Sequence, residues 1–306
     1  MCAEKTDQKT QKTRRQFLKL AAPLALGLVA APACAFDLFK ALDPEGKNKD
    51  IQKARQAVEG IGSIAQSATG IDYETEFAIG ESLALEGFQR YGLPADDSSL
   101  QKYVNTVGKA VAKNAVRPGI NYHFVIVKSP VYNAFACPGG IIFLSARLVK
   151  SMEDEAELAN VLAHEVAHVS HKHALQSIRR AKFFEGVGKI GTLNMDGEEG
   201  KKYRNMIGDL QGVLFDRGLD KTMEYEADKS AMECAYRTGY DPRGMIRVLE
   251  MLKANRQNAK KKGSWFSTHP PLNSRLQRCR KHLGKYPDAA SLATVEGRFR
   301  RYRNLI

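Results

Sequence analysis

Long hydrophobic runs are the first thing this 306-residue sequence lacks. Residues 20–31 come nearest, and that stretch is too short to span a bilayer, so a multi-pass integral membrane protein is excluded. Cysteine is scarce too. Of Cys2, Cys34, Cys137, Cys234 and Cys279, the first two fall in the leader described below and the other three cannot all pair, which leaves one disulfide at most. No internal repeat and no recognisable nucleic-acid module are present, although the formal net charge is +13. Residues 1–35 hold six Lys or Arg against Glu4 and Asp7, leaving +9 for the remainder. With no nucleic acid expected, a basic surface of that size points to peripheral contact with an anionic membrane. What is present, 43% hydrophobic and 26% charged residues, is a globular composition sufficient for one main domain with appendages.

The leader is read from three features. A basic segment ends in Thr13-Arg14-Arg15-Gln16-Phe17-Leu18-Lys19, close to a twin-arginine signal; the apolar run follows; and Ala33-Cys34-Ala35 makes a small-residue cleavage site before Phe36. Residues 1–35 are therefore expected to be removed on export to the periplasm. Lipidation at Cys34, giving a membrane-anchored lipoprotein, is the alternative, and Pro32 and Ala33 make a poor signal for it.

Residues 36–71 read as a helical lead-in, with Ile51, Ala54, Val58, Ile61 and Ile64 at helical spacing and Gly60, Gly62 and Gly70 weakening it. Helices are expected at 73–91 and 98–116, then strands at 122–127 and 141–144, the second entered through Pro138-Gly139-Gly140. If that second strand is an edge beside a cleft, Gly139, Gly140, Ile141 and Ile142 can receive an extended peptide by strand addition; an ordinary core hairpin fits the same residues. Residues 186–200 read as a polar loop or lid, 203–215, 221–238 and 241–257 as helices, and 260–263 as a solvated loop. The main domain is bounded at 72–285. Residues 286–306, with Arg298, Arg300, Arg301 and Arg303, are expected to be a basic solvated tail. The class is α+β, mainly helical.

Chemistry enters at His164-Glu165-Val166-Ala167-His168. Residues 153–180 contain neither proline nor glycine, and Ser151 to Glu155 offer a cap and acids at the positive helix end. On a helix, His164 and His168 share a face and can hold one metal ion while Glu165 projects beside them. A third protein ligand is needed, leaving a position for water. Glu224 and Asp228 are also four apart, so Glu224 can complete the set while Asp228 accepts a hydrogen bond from a ligating imidazole. Glu226 should point elsewhere. Zinc, one ion per chain, suits mixed imidazole and carboxylate ligation. Glu165 then serves as general base toward a water, and His269 is the candidate donor to a developing oxyanion.

Asn133-Ala134-Phe135-Ala136-Cys137-Pro138-Gly139-Gly140, the His164 motif, Glu224-x-x-x-Asp228 and Ser267-Thr268-His269-Pro270, in this order, resemble the M48 family of zinc metallopeptidases, over about residues 73–275. More narrowly, the chain is similar to bacterial periplasmic members acting in envelope protein quality control. The resemblance implies a gluzincin fold with a small sheet at the cleft, His164, His168 and Glu224 as ligands, Glu165 as base, and His269 near the metal, either stabilising the transition state or plugging the site. It also implies misfolded or unassembled envelope proteins as substrates. An assembly factor or chaperone with a plugged zinc site is the alternative. His173 matches a family position read as structural, and His171 has no counterpart and should face solvent. Asp220-Lys221 stands where many relatives carry Ser-Arg, and the repeat domain that follows the protease in some relatives is not expected in the residues after Arg275.

Overall fold

The computed structural model describes residues 73–179, 197–255, 264–269 and 271–306. The leader, the lead-in at 36–71, most of the expected lid, the loop at 260–263 and Pro270 lie outside the described residues.

Helix α1 (Tyr73–Tyr91) opens on Glu74 and Glu76 and closes on Arg90, charges that match the helix dipole. Helix α2 (Ser98–Ala112) is capped by the Asp97 carboxylate, which accepts from the Ser99 and Leu100 amides, and it buries Leu100, Tyr103, Val104, Val107 and Val111 at helical spacing. It stops short of the expected 116, where Asn114 and Ala115 turn back on Val111 and Ala112.

Three strands follow: β1 (His123–Val127), β2 (Ala134–Cys137) and β3 (Ile141–Ser145), in the order β1-β3-β2. β3 runs parallel to β1, from His123 opposite Ile141, and antiparallel to β2, with Phe135 opposite Phe143. This corrects the expectation for Gly139, Gly140, Ile141 and Ile142. β3 is central and bonded on both sides, so Ile141 and Ile142 cannot accept a further strand. Gly139 (φ 78°) instead makes the tight β2–β3 turn, and a Cβ there would meet the Phe77 Cα at 2.6 Å. The outer edge of β1 is already covered, because Asn105 and Gln101 of α2 bond the main chain of Phe124 and Ile126 as a strand would. Among the described residues no main-chain partner meets the outer edge of β2.

Side chains alternate across the sheet. Phe124, Ile126, Ile142 and Leu144 join one core, and Val125, Val127, Phe135, Ile141 and Phe143 join a second that α1 covers. Helix α3 (Ala146–Lys150) leads to α4 (Glu155–Ser170), in which every residue is buried. Asp154 caps it by accepting from the Glu157 amide at 2.8 Å, while Glu157 reaches back to the Glu153 amide at 2.9 Å. Then come α5 (His173–Arg179), α6 (Glu198–Gln211) with a π-helical turn at Gly212–Arg217, α7 (Lys221–Thr238), α8 (Arg243–Ala254), α9 (Trp265–Thr268) and α10 (Leu272–Leu283). None of the helices in the described residues is long and apolar enough to cross a membrane.

The expected solvated tail is a docked helix, α11 (Glu296–Arg303). Phe299 is fully buried, Tyr302 stacks on Tyr103 with centroids 4.1 Å apart, and Arg298 pairs with the buried Glu155 carboxylate at 2.6 Å. Glu155 also accepts from the Tyr103 and Tyr240 hydroxyls. The Thr294 carbonyl receives the Glu155 and Ala156 amides, capping the first turn of α4. Apolar residues at i and i+3 of an arginine-rich stretch supply the one face that docks. Cys137, Cys234 and Cys279 are buried free thiols, so no disulfide joins them.

Candidate metal centre

Helices α4 and α7 pack along one another, and the site lies in their contact. On α4, His164 and His168 bring their Nε2 atoms to 3.0 Å of each other. From α7, Glu224 brings Oε2 to 3.6 Å from the His164 Nε2 and Oε1 to 3.6 Å from the His168 Nε2. The three residues expected as ligands therefore converge on one point. His269, at the end of α9, joins them, the four ligand atoms lying within 4.8 Å of one another.

Each of the three candidate ligands has a further polar neighbour. Asp228 Oδ1 is 3.1 Å from His164 Nδ1, as the spacing from Glu224 implied. The residue that sequence reasoning missed is Arg275 of α10, which is fully buried. It grips both Asp228 oxygens at 2.8 and 2.6 Å, approaches Glu224 Oε2 at 3.0 Å and donates to the His269 carbonyl at 3.0 Å. Its place in Ser274-Arg275-Leu276, shortly after the His269 motif, was the one available signal, and nothing local distinguishes it from surface arginines. On the other side, His168 Nδ1 is 2.8 Å from His173 Nδ1, and His173 Nε2 is 3.2 Å from Glu226. Glu226 does point away from the ligand cluster. His171, expected in solvent, is half-buried: it stacks on His173 and meets Ser230 at 2.9 Å.

Glu165 is fully buried, and neither carboxylate oxygen has a hydrogen-bond partner among the described residues. Burial raises its pKa to about 8, with His164 opposing and Glu224 adding to the shift. For His164, burial alone would lower the pKa; the nearby carboxylates of Asp228 and Glu224 more than offset this and hold it at about 9. Burial and the His164 charge lower that of His168, and the same two effects lower that of His269. His269 stacks on Trp265 at 4.2 Å, with its Nε2 3.7 Å from Glu165 Oε1. Its Nδ1 is 2.8 Å from the Thr268 hydroxyl, which lies 3.2 Å from the Ser264 carbonyl. With the hydroxyl proton donated to that carbonyl, the hydroxyl accepts from His269 Nδ1–H, and the Nε2 lone pair then faces the ligand cluster.

This donor set fits zinc. Two imidazole nitrogens and a carboxylate converge in a dry site, and the Glu224 oxygens have no hydrogen-bond partner among the described residues. Among the described residues, three buried carboxyl groups, Glu165, Glu224 and Asp228, lie together beside Arg275, and a divalent cation there would favour their ionised forms. Beside Glu165, His168, His269, Phe135 and Ala136 remains a cavity of about 10 Å³, room for about one water.

Residues 98–283 match the model of peptidase family M48. The chain belongs to this family. The match takes in α2 through α10, including the ligand helices and Arg275. Among curated proteins, this M48 chain is 30% identical over 255 residues to a beta-barrel assembly-enhancing protease of Yersinia pestis, covering 78% of the chain and 50% of the relative. The protein of that name from Escherichia coli K12 is 28% identical over 189 residues, 59% of the chain and 38% of the relative. A mitochondrial metalloendopeptidase OMA1 of Arabidopsis thaliana is 30% identical over 179 residues, 57% of the chain and 34% of the relative. The chain spans half or less of the length of these relatives.

Proposed function

We propose that this M48 chain is an exported zinc endopeptidase that hydrolyses peptide bonds of misfolded or unassembled envelope proteins, and that His269 holds it closed. The observation that carries the reading is the buried convergence of His164, His168 and Glu224 beside the unpartnered carboxylate of Glu165. The names of the bacterial relatives support an envelope role, and the twin-arginine-like leader supports export of an already folded enzyme.

His164, His168 and Glu224 would hold the zinc ion, which would supply Lewis acidity toward a water, with a pKa of about 7, and a peptide carbonyl. Glu165 takes the proton of the attacking water and later passes it to the leaving amine. Burial suits that carboxyl to both roles, since its raised pKa lets it hold a proton between the two steps. Asp228, fixed by Arg275, keeps the His164 Nε2 lone pair turned to the ion. The free edge of β2, whose Phe135 and Ala136 line the cleft, accepts an extended backbone by main-chain hydrogen bonds. Strand addition reads backbone rather than side chains, so it selects unfolded segments over a particular sequence.

A cavity of one water cannot admit a peptide, so cleavage requires the His269 segment to move. Its Nε2 lone pair equips the ring to take the open coordination position, and a neutral ring in this tautomer is no donor to an oxyanion. The same closure favours the second reading, an assembly factor whose zinc site stays plugged. Zinc content and cleavage of an unfolded protein such as casein, compared for wild type and Glu165→Gln, separate the two. A peptidase loses cleavage and keeps zinc in the variant; a wild type that binds zinc and cuts nothing supports the assembly factor.

A further inference from the structure

We infer that His173 and Glu226 form a positioning relay that fixes the tautomer of the ligand His168 from outside the metal centre. The inference rests on the metal-centre reading. When His164 and His168 each turn an Nε2 lone pair to a shared ion, the proton of each ring must sit on Nδ1. For His164 that proton meets a buried carboxylate, Asp228, at 3.1 Å. His168 meets another imidazole. Its Nδ1–H faces His173 Nδ1 at 2.8 Å, which must therefore be a bare acceptor. The His173 proton is then on Nε2, 3.2 Å from Glu226 Oε2, and the carboxylate accepts it. The direction of every proton along the chain follows from the first.

Local structure is built to place this ring. Helix α4 ends at Ser170, and Lys172 takes a left-handed conformation (φ 57°), unusual for a residue with a side chain, that turns α5 back beneath α4. Lys172 is tied down by Glu76 at 2.9 Å, itself held by Arg117 at 2.9 Å. The ring of His173 is fully buried, while the Glu226 side chain is 53% exposed. Glu226 also lies 3.6 Å from His171 Nδ1, so one surface carboxylate serves both rings. The two ligands thus differ in kind: His164 is oriented by an interior ion pair, His168 by a relay that ends in solvent.

The exposed end makes the relay testable without disturbing the core. Zinc affinity, measured by chelator competition on the full chain, should weaken roughly tenfold in Glu226→Ala and stay near wild type in Glu226→Gln, whose amide oxygen can still accept, with metal-free melting temperatures unchanged. In the zinc-loaded wild type, ¹⁵N-histidine NMR should show His173 protonated at Nε2 and bare at Nδ1. Equal zinc affinity of wild type and Glu226→Ala, a glutamine variant as weak as the alanine one, or the opposite His173 tautomer would each overturn the relay. A wild type that takes up no zinc at all would instead overturn the metal-centre reading on which the relay depends.

Discussion

Arg275 holds more of the site together than any other single residue. Its guanidinium compensates Asp228 and Glu224 and also anchors the backbone of His269, so one side chain links Glu224, Asp228 and the His269 segment. Replacing it with Met leaves two buried carboxylates unpaired, and the metal-free protein should lose about 3–5 kcal/mol in denaturant titration. Arg275→Lys should recover little, because an ammonium cannot bridge both Asp228 oxygens as the planar fork does. Glu165→Gln is the opposite case. It exchanges an unpartnered buried carboxyl for a neutral group of the same shape, so peptide cleavage should fall roughly 10²–10⁴-fold while zinc content and melting temperature hold. Away from the metal centre, Glu81 on α1 has one buried oxygen with no hydrogen-bond partner among the described residues, and burial raises its pKa to about 7 from the ordinary 4.5. Within that window the folded form keeps the proton and the unfolded form releases it, so the contribution of Glu81 to stability declines as pH rises from about 4.5 to about 7. Glu81→Gln should remove that decline, and melting curves across this range would show it.

Helices were legible where neighbours in sequence are neighbours in space. The His164–Glu165–His168 and Glu224–Asp228 spacings could be read directly, because a helix turns i and i+4 to one face without reference to the rest of the chain. What depends on distant partners was not legible. β2 is four residues with no periodicity of its own, and only its pairing to β3 makes it a strand and moves the free sheet edge away from Ile141 and Ile142. The role of α11 was hidden in the same way: four arginines suggest solvent until Phe299 enters the core, Tyr302 finds α2 and Arg298 finds Glu155. Docking makes a prediction that a solvated tail does not. Phe299→Ala should cost about 3–5 kcal/mol and lower the melting temperature of the whole domain. The burial cost on Glu155 is outweighed by bonds from Arg298, Tyr103 and Tyr240, which lower its pKa. That contribution is present above the ordinary carboxylate range and is lost as pH falls through the depressed value, and Arg298→Ala should reduce the acid-sensitive part of the stability.

At the scale of the molecule, two cores meet at a small sheet, and α4 runs through the larger one with its ligands turned toward α7. The second core, α1 with α6 and the π-helical turn, approaches the cleft from the other side. Gly218, just past that turn, lies so close to the His269 segment that a Cβ would sit 2.4 Å from the Thr268 carbonyl, and the Leu219 amide bonds that carbonyl at 3.3 Å. The His269 segment is therefore fastened to Leu219, to Arg275, and to the Tyr132 carbonyl through the Trp265 amide. In the proposed closed state, moving the His269 segment would have to break contacts with both sides of the cleft.

The most direct test of a closed zinc peptidase is the rate of casein cleavage by zinc-loaded full-length wild type, His269→Ala, and His269→Ala combined with Glu165→Gln. The arrangement of His269 predicts a faster rate for the single variant and none for the double variant, with zinc at full occupancy in all three. A His269→Ala enzyme that keeps its zinc and cleaves more slowly than wild type would contradict the plug and make His269 a contributor to the transition state instead.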